Sequence, residues 1–310
     1  MAERYAFSAP GSLMLFGEHA VLHGRLAIVC AIDRRLRVTL KPRRDTTLRI
    51  ASALGPLETD VRRPATDPRF RFALAAIERF RDRLDKGFDL EFESDFPPTI
   101  GFGSSAAATV ATLAALHAWL GPRAAPPAIA AEGREVVRAV QGAGSGADVA
   151  ASALGGVLAC RAEPPATARL GHDLPLAAVY AGYKTPTPEV IARVEAARSA
   201  NPPLYDALYD AIELVSQEAS GALTSRDWPG LGRLMNVGHG LMEALGVSDA
   251  RLAAIAHALR ACPGVHGAKI SGSGLGDCVV ALGRPEKPPP GLEVMALDVA
   301  REGLRREARA

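Results

Sequence analysis

Three short runs rich in glycine and hydroxyl side chains are the places where chemistry could be done: PPTIGFGSSAAA (97–108), GAGSGAD (142–148) and SGSGLGD (271–277). Glycine lets the main chain turn with positive φ and lets a ligand approach backbone N–H groups. Where such a run opens a helix, the free amides and a dipole worth about half a positive charge make a cradle for phosphate. The first run suits this best. Ser104 and Ser105 stand where a helix should begin, can cap it, and carry hydroxyls able to meet phosphate or a metal ion. In the second run Asp148 follows glycines, which leaves room for a hydroxyl to approach a carboxylate acting as general base. The competing role for Asp148 is an ordinary helix N-cap before VAASAL. Any one glycine run can be a plain turn; three in one chain, with hydroxyls interleaved, point to phosphate.

Two known phosphate motifs compete. No G-x-x-x-x-G-K-[ST] occurs, which excludes a Walker-type loop. GFGSSA fits the dinucleotide fingerprint G-x-G-x-x-A and keeps an NAD(P) oxidoreductase as a rival. Against it, Pro97 and Pro98 separate the run from the preceding strand, and no strand ending in an acidic residue follows about 20 residues later.

The elements that must position these runs can be read from periodicity. Residues 5–40 read as strands: a short run before a turn at Pro10-Gly11, then LMLF, LAIVCAI and LRVTL. Apolar residues at helical spacing predict a helix over 68–86, and DLEFESDF alternates as a half-buried strand does. A buried helix should run from Ser104 or Ser105 to about Leu120, where Gly121-Pro122 stops it, and another from Pro126 to Val140. RAEPPATARLGHDLP (161–175) reads as a linker or crossover. Beyond it come a strand in LAAVYAGY, helices over 188–200, 204–224, 229–245 and 249–261, a glycine loop running into a strand in KISGSGLGDCVVALG, and a last strand in LEVMALDVA. Strands and helices mix without strict alternation, so the expected fold is α+β in two halves, 1–170 and 171–310.

The whole-chain numbers close off other classes. The 310 residues are 48% hydrophobic and 23% charged, a globular balance, and a net charge of +2 gives no general case for binding nucleic acid. Cys30, Cys160, Cys262 and Cys278 lie far apart with no C-x-x-C pair, which argues against zinc or a disulfide framework and for a reducing, cytoplasmic setting. MAERYAFSAPGS carries charge and no apolar core of a signal peptide, and the apolar stretch 106–120 falls short of the roughly 20 residues of a membrane span. Basic residues are almost all arginine; the five lysines are Lys41, Lys86, Lys184, Lys269 and Lys287.

Taken together, the motifs resemble those of the GHMP small-molecule kinases. SAPGSLMLFGEHAVLHG (8–24) resembles the family's first motif, with GEHAVLHG close to mevalonate kinases; PPTIGFGSSAAATVA resembles the ATP-phosphate loop; KISGSGLGDCVVAL (269–282) resembles the third motif; and LGRLMNVGHGLMEALGVS (231–248) is similar to the helix before it. The resemblance implies a domain like the second domain of ribosomal protein S5 followed by a ferredoxin-like one, with ATP and Mg²⁺ between them. It implies γ-phosphate transfer to the hydroxyl of a small metabolite, mevalonate in first place, by the chain alone or as a homodimer. Carried over by position, the ATP site comprises Pro98, Gly101, Gly103, Ser104, Ser105, Ala106, Gly272, Ser273 and Gly274, with Ser105 also on the metal. Asp148 is the base, and Glu18, His19 and Thr187 lie on the substrate side.

Three departures from the family pattern matter. The first motif reads APGS where mevalonate kinases read APGK, so Ser12 replaces a catalytic lysine, and Lys184, with Lys269 second, is the expected substitute. A metal-binding glutamate is replaced by Val137, with Glu132 and Glu135 out of register. GSGLGDC looks more like phosphomevalonate kinases, which keeps that activity, or a homoserine or sugar kinase, as an alternative. From another class, the lost lysine motivates a sensor that binds ATP and a metabolite without turnover.

Overall fold

The computed structural model describes residues 3–308; Met1 and Ala2 of the segment read as leaderless, and the last two residues of the second half, lie outside it. The first layer is an eight-stranded sheet. β1 (Tyr5–Phe16), β2 (Ala27–Pro42), β3 (Thr47–Ser52), β4 (Gly55–Asp60) and β5 (Phe88–Ser94) lie in the order β1-β2-β5-β3-β4, antiparallel except for the β3–β5 pair. β6 (Val157–Arg161) pairs with β2, and β7 (Ala166–Gly171) with β6.

Against this sheet pack α2 (Ser104–Leu120) and α4 (Ala147–Leu154), and α1 (Arg71–Glu78) and α3 (Pro126–Gln141) pack in turn on these helices. α2 is apolar on all sides, and ten of its 17 residues are buried, so it belongs between layers rather than on a surface. Its small side chains, Ala106, Ala107, Ala111, Ala114 and Ala115 among them, let it lie close to the sheet and to α4.

The second layer is a four-stranded antiparallel sheet. β8 (Leu176–Lys184), β9 (Val265–Ser271), β10 (Gly276–Gly283) and β11 (Met295–Leu297) run in the order β11-β8-β10-β9. Four helices accompany it: α5 (Thr187–Ala200), α6 (Pro202–Ser225), α7 (Trp228–Ala244) and α8 (Ala250–Arg260). α7 and α8 pack on β9, and α6 on α7. The caps are visible in the chain: Asp227 accepts from the Gly230 N–H at the start of α7, and Asp249 from the N–H groups of Arg251 and Leu252 at the start of α8. The chain then returns: β12 (Arg305–Arg306) pairs with β1 in the first sheet, so the last residues of 171–310 are not part of the second layer. Among the described residues no helix is long and apolar enough to cross a membrane.

Several expectations need correction. Pro10-Gly11 is no turn: β1 runs through it with a register shift. Gly11 is needed there because a Cβ would sit 2.5 Å from the Phe102 carbonyl oxygen, the close approach that brings β1 against the GFG loop. LAIVCAI and LRVTL form one 16-residue strand rather than two. The helix expected over 68–86 closes at Glu78 and is followed by a 3-10 turn at Arg81–Arg83. The expected linker 161–175 contains β7, hydrogen-bonded to β6 as part of the first sheet. The β3–β4 hairpin was not anticipated. The dinucleotide reading fails on topology: α2 leads into α3 and α4 rather than into a strand, so GFGSSA sits in no βαβ unit.

Candidate active site

One cleft gathers the three glycine runs, with walls from both layers. β1 contributes Ser12 and Met14, and the segment after it Glu18, His19, Val21 and Leu22. The first run supplies Gly101, Gly103, Ser105 and Ala106; the second Gly144, Ser145, Gly146 and Asp148; the third Gly272, Ser273 and Asp277. Lys184, Thr187 and Ile191 close it from the end of β8 and the start of α5. The space between these walls, open mouth included, is about 1040 Å³.

The first run makes the helix start expected of a phosphate cradle, by a different device. Gly103, with φ 65°, takes the N-cap position, and neither serine caps. Ser104 Oγ instead donates to the Pro98 carbonyl oxygen at 3.2 Å, while Ser105 faces the cleft from the first turn of α2. Gly103 has no alternative, since a Cβ there would lie 2.1 Å from Ser12 Oγ. The backbone N–H of Ser12 donates to the Phe102 carbonyl oxygen at 3.0 Å and ties β1 to the loop.

Asp148 is not an N-cap either. Gly146, with φ 79°, opens α4, and Asp148 stands in its first turn, where the helix dipole favours a negative charge. Ser12 Oγ donates to Asp148 Oδ1 at 2.8 Å. Oδ2 has no protein donor among the described residues. Part of Asp148 faces the cleft, yet its surroundings are close enough that burial, the largest influence, raises the carboxyl pKa. The Ser12 hydrogen bond and the positive charge of Lys184 pull the other way, and Asp277 and Glu18 add to the rise.

Lys184 Nζ lies 2.9 Å from Asp277 Oδ1 and 3.2 Å from Oδ2. It is the one lysine or arginine among the described residues that line the cleft, against three carboxylates, Glu18, Asp148 and Asp277. Lys269, the second choice for a substitute charge, is placed elsewhere. It is 1% exposed, bonds to Glu18 and to the Ile270 carbonyl oxygen, and is not part of the cleft wall. That buried pair joins the segment after β1 to β9. Ser271 Oγ donates to the Met14 carbonyl oxygen at 2.9 Å along the same seam. His19 Nε2 meets the Ser273 carbonyl oxygen at 2.8 Å, with His19 itself at φ 60° and 6% exposed. Burial lowers the His19 pKa, so near neutral pH the ring is uncharged and donates to Ser273.

Most of the residues singled out from sequence therefore meet: Ser12, Glu18, His19, Gly101, Gly103, Ser105, Ala106, Asp148, Lys184, Thr187, Gly272 and Ser273 all line the cleft. Pro98, Ser104 and Gly274 do not. Gly274 packs on the loop between α7 and α8, where a Cβ would lie 2.3 Å from the Val247 carbonyl oxygen. The reading missed Asp277, although it ends the third glycine run as Asp148 ends the second. It also missed the apolar wall of Met14, Val21, Leu22 and Ile191, which periodicity alone assigns to core. Among the described residues no three His, Cys, Asp or Glu side chains cluster as a metal site. The oxygen donors Ser105 and Asp148 do suit a hard cation that keeps phosphate and water ligands, whereas both oxygens of Asp277 face Lys184.

Comparison with known proteins agrees with this architecture. Residues 71–156 match the model for the GHMP kinases N terminal domain, and 219–293 that for GHMP kinases C terminal. Mevalonate kinase from Archaeoglobus fulgidus is 34% identical over 301 residues, spanning 97% of this chain and 99% of that protein. Mevalonate kinase from Pyrococcus furiosus is 32% identical over 331 residues, 97% of each. The solved structure of L. major mevalonate kinase in complex with R-mevalonate superposes with a TM-score of 0.79 and 25% identity, covering 98% of this chain and 97% of that one. With two domain models matched in order and relatives above 30% identity across nearly its whole length, the chain belongs to the GHMP kinase family.

Proposed function

We propose that the protein is an ATP-dependent kinase that transfers the γ-phosphate to the terminal hydroxyl of mevalonate, a step of isoprenoid precursor synthesis in the cytoplasm. The observation that carries this reading is the placement of Asp148, with its free oxygen, across one cleft from the α2 amides and Ser105. Phosphoryl transfer needs positioning and charge neutralisation more than covalent work. The amides of 103–106 receive the nucleotide's phosphates, and Asp148 Oδ2 takes the proton of the attacking hydroxyl, while Ser12 holds Oδ1 and so fixes which oxygen faces the acceptor. Mg²⁺ would be held by Ser105 together with phosphate and water ligands, and when bound it neutralises phosphate charge. Lys184 supplies the cation that Ser12 cannot.

An unphosphorylated acceptor is favoured over phosphomevalonate by the charge of the walls. A second phosphate group would enter beside Asp148, which has no cation bonded to it among the described residues, while Glu18 and Asp277 already occupy Lys269 and Lys184. Met14, Val21, Leu22 and Ile191 offer apolar surface to a short carbon skeleton.

The test is ADP release from Mg-ATP with mevalonate, phosphomevalonate, homoserine and galactose, on the native protein and on Lys184→Ala. Turnover with mevalonate, reduced about 100- to 1,000-fold in kcat by Lys184→Ala, is the expected result. ATP binding without turnover on any alcohol would support the sensor instead, and a native-like Lys184→Ala would remove Lys184 from the mechanism.

A further inference from the structure

Asp277 is the cleft residue that the chemistry above leaves without a task. Three features of its surroundings point to one. The first is backbone: Asp277 has φ 59°, in the left-handed region that non-glycine residues rarely enter. It sits in an irregularity of the sheet, where the register passes from Gly276 opposite Lys184 directly to Cys278 opposite Tyr180. Bulges of this kind re-aim a side chain, and strained backbone collects at functional sites. The second is contact with the phosphate loop. Gly101 lies so close that a Cβ there would be 2.7–2.8 Å from the Asp277 side chain, and Cys278 Sγ donates to the Ile100 carbonyl oxygen at 2.9 Å. The third is its partner: both carboxylate oxygens face Lys184 Nζ, which ends β8 with a side chain still 38% exposed. Gly276 permits the crossing, since a Cβ there would meet the Tyr183 carbonyl oxygen at 2.7 Å and Lys184 Cα at 2.8 Å.

We infer that Asp277 is a positioning residue: it holds the ammonium of Lys184 against the first glycine loop, so that a lysine from the second layer stands where the nucleotide's phosphates must lie. This rests on the reading of Lys184 as the phosphate-facing cation. A long, half-exposed lysine without that tether samples many rotamers. Fixing it beforehand removes an ordering cost from the chemical step.

A double-mutant cycle in kcat tests it, with Asp277→Asn, Lys184→Ala and the double variant. Asparagine is chosen because, among neutral residues other than glycine, it tolerates positive φ best. The expected result is a fall in kcat of about tenfold or more for Asp277→Asn, with the KM for the acceptor changed less than about twofold and the melting temperature retained. The double variant should be no slower than Lys184→Ala alone. Asp277→Glu, which keeps the charge but moves it by one methylene, gives a second background and should show the same dependence on Lys184. Losses that multiply in the double variant, or a native-like kcat for both Asp277 variants beside a crippled Lys184→Ala, would overturn the inference while leaving the role of Lys184 intact. A native-like Lys184→Ala would instead sink the underlying reading.

Discussion

Replacing Ser12 by alanine removes one oxygen and, with it, the donor to Asp148 Oδ1 at 2.8 Å. Nothing else in the cleft need move, because the Ser12 N–H to Phe102 contact is main chain and survives. Hydrogen bonds to charged groups contribute about 1.5–3 kcal/mol. Ser12 is 1% exposed, so water does not readily take its place. The bond favours the ionised carboxylate, and burial already raises the Asp148 pKa; losing the bond raises it further. The change in ionisation constant should be about 10- to 100-fold, which is the same free energy converted at 1.36 kcal/mol per factor of ten. In a pH profile of kcat/KM, followed by coupled ADP release, the acidic limb should move to higher pH in Ser12→Ala. Activity near neutrality should fall, with part of it returning as pH rises. Nucleotide affinity should hold within a few-fold. An acidic limb at its native position, in a folded variant with reduced kcat, would refute the reasoning, because Ser12 would then act on something other than the ionisation of Asp148.

Two further outcomes follow from the same geometry. Asp148→Asn should lose turnover by about a thousandfold or more, as expected when a base is removed. It should also be no less stable than the native protein. Because burial raises the folded-state pKa above its ordinary 3.8, the native carboxyl lowers stability as pH rises through that window, and the amide does not. Melting curves at several pH values should therefore show the variant gaining on the native protein from about pH 4 upward, and a variant that melts lower at neutral pH would contradict this. Lys269→Met should destabilise by about 3–5 kcal/mol, because it strands Glu18, 4% exposed, without its partner; denaturant melts within about 1 kcal/mol of the native protein would count against a buried pair.

How much of this was legible beforehand depends on what kind of physics placed each residue. α2, α3 and α5 through α8 are readable because their boundaries are set locally: Pro126 and Pro202 open helices, Gly121 and Gly142 close them, and Asp227 and Asp249 cap them. The three glycine runs are legible for the same reason, since positive φ at Gly101, Gly103 and Gly146 is a local demand. The pairing of β7 with β6 and the return of β12 to β1 are long-range choices, and Pro164-Pro165 before β7 reads locally as a break. Lys184 could be ranked before Lys269 from its place after a predicted strand, but the pairing of Lys269 with Glu18 could not be read from type or spacing. The first ends a strand at the mouth of the cleft; the second lies beneath it against Glu18. Asp277 went unseen because its backbone conformation, which aims it, is imposed by the strand beside it.

The exchange of lysine for serine at position 12 is best understood with both carboxylates in view. A lysine there would stand beside Asp148 and Gly103, and its charge would lower the Asp148 pKa. Serine gives the same carboxylate a neutral hydrogen bond and leaves its pKa raised, which makes it the stronger base once ionised. On the function proposed above, the positive charge comes instead from Lys184, on the other side of the cleft and against a second carboxylate. That proposal divides proton removal and phosphate neutralisation between separate pairs, Ser12–Asp148 in the first layer and Lys184–Asp277 in the second. The two pairs interact through charge, since Lys184 and Asp277 act on Asp148 with opposite signs. If so, restoring a lysine at position 12 should not add to activity. Ser12→Lys places a second cation beside Asp148 and should shift the acidic limb of kcat/KM to lower pH. It should make Lys184→Ala less damaging than it is in the native background, a dependence that two independent lysine sites would not show.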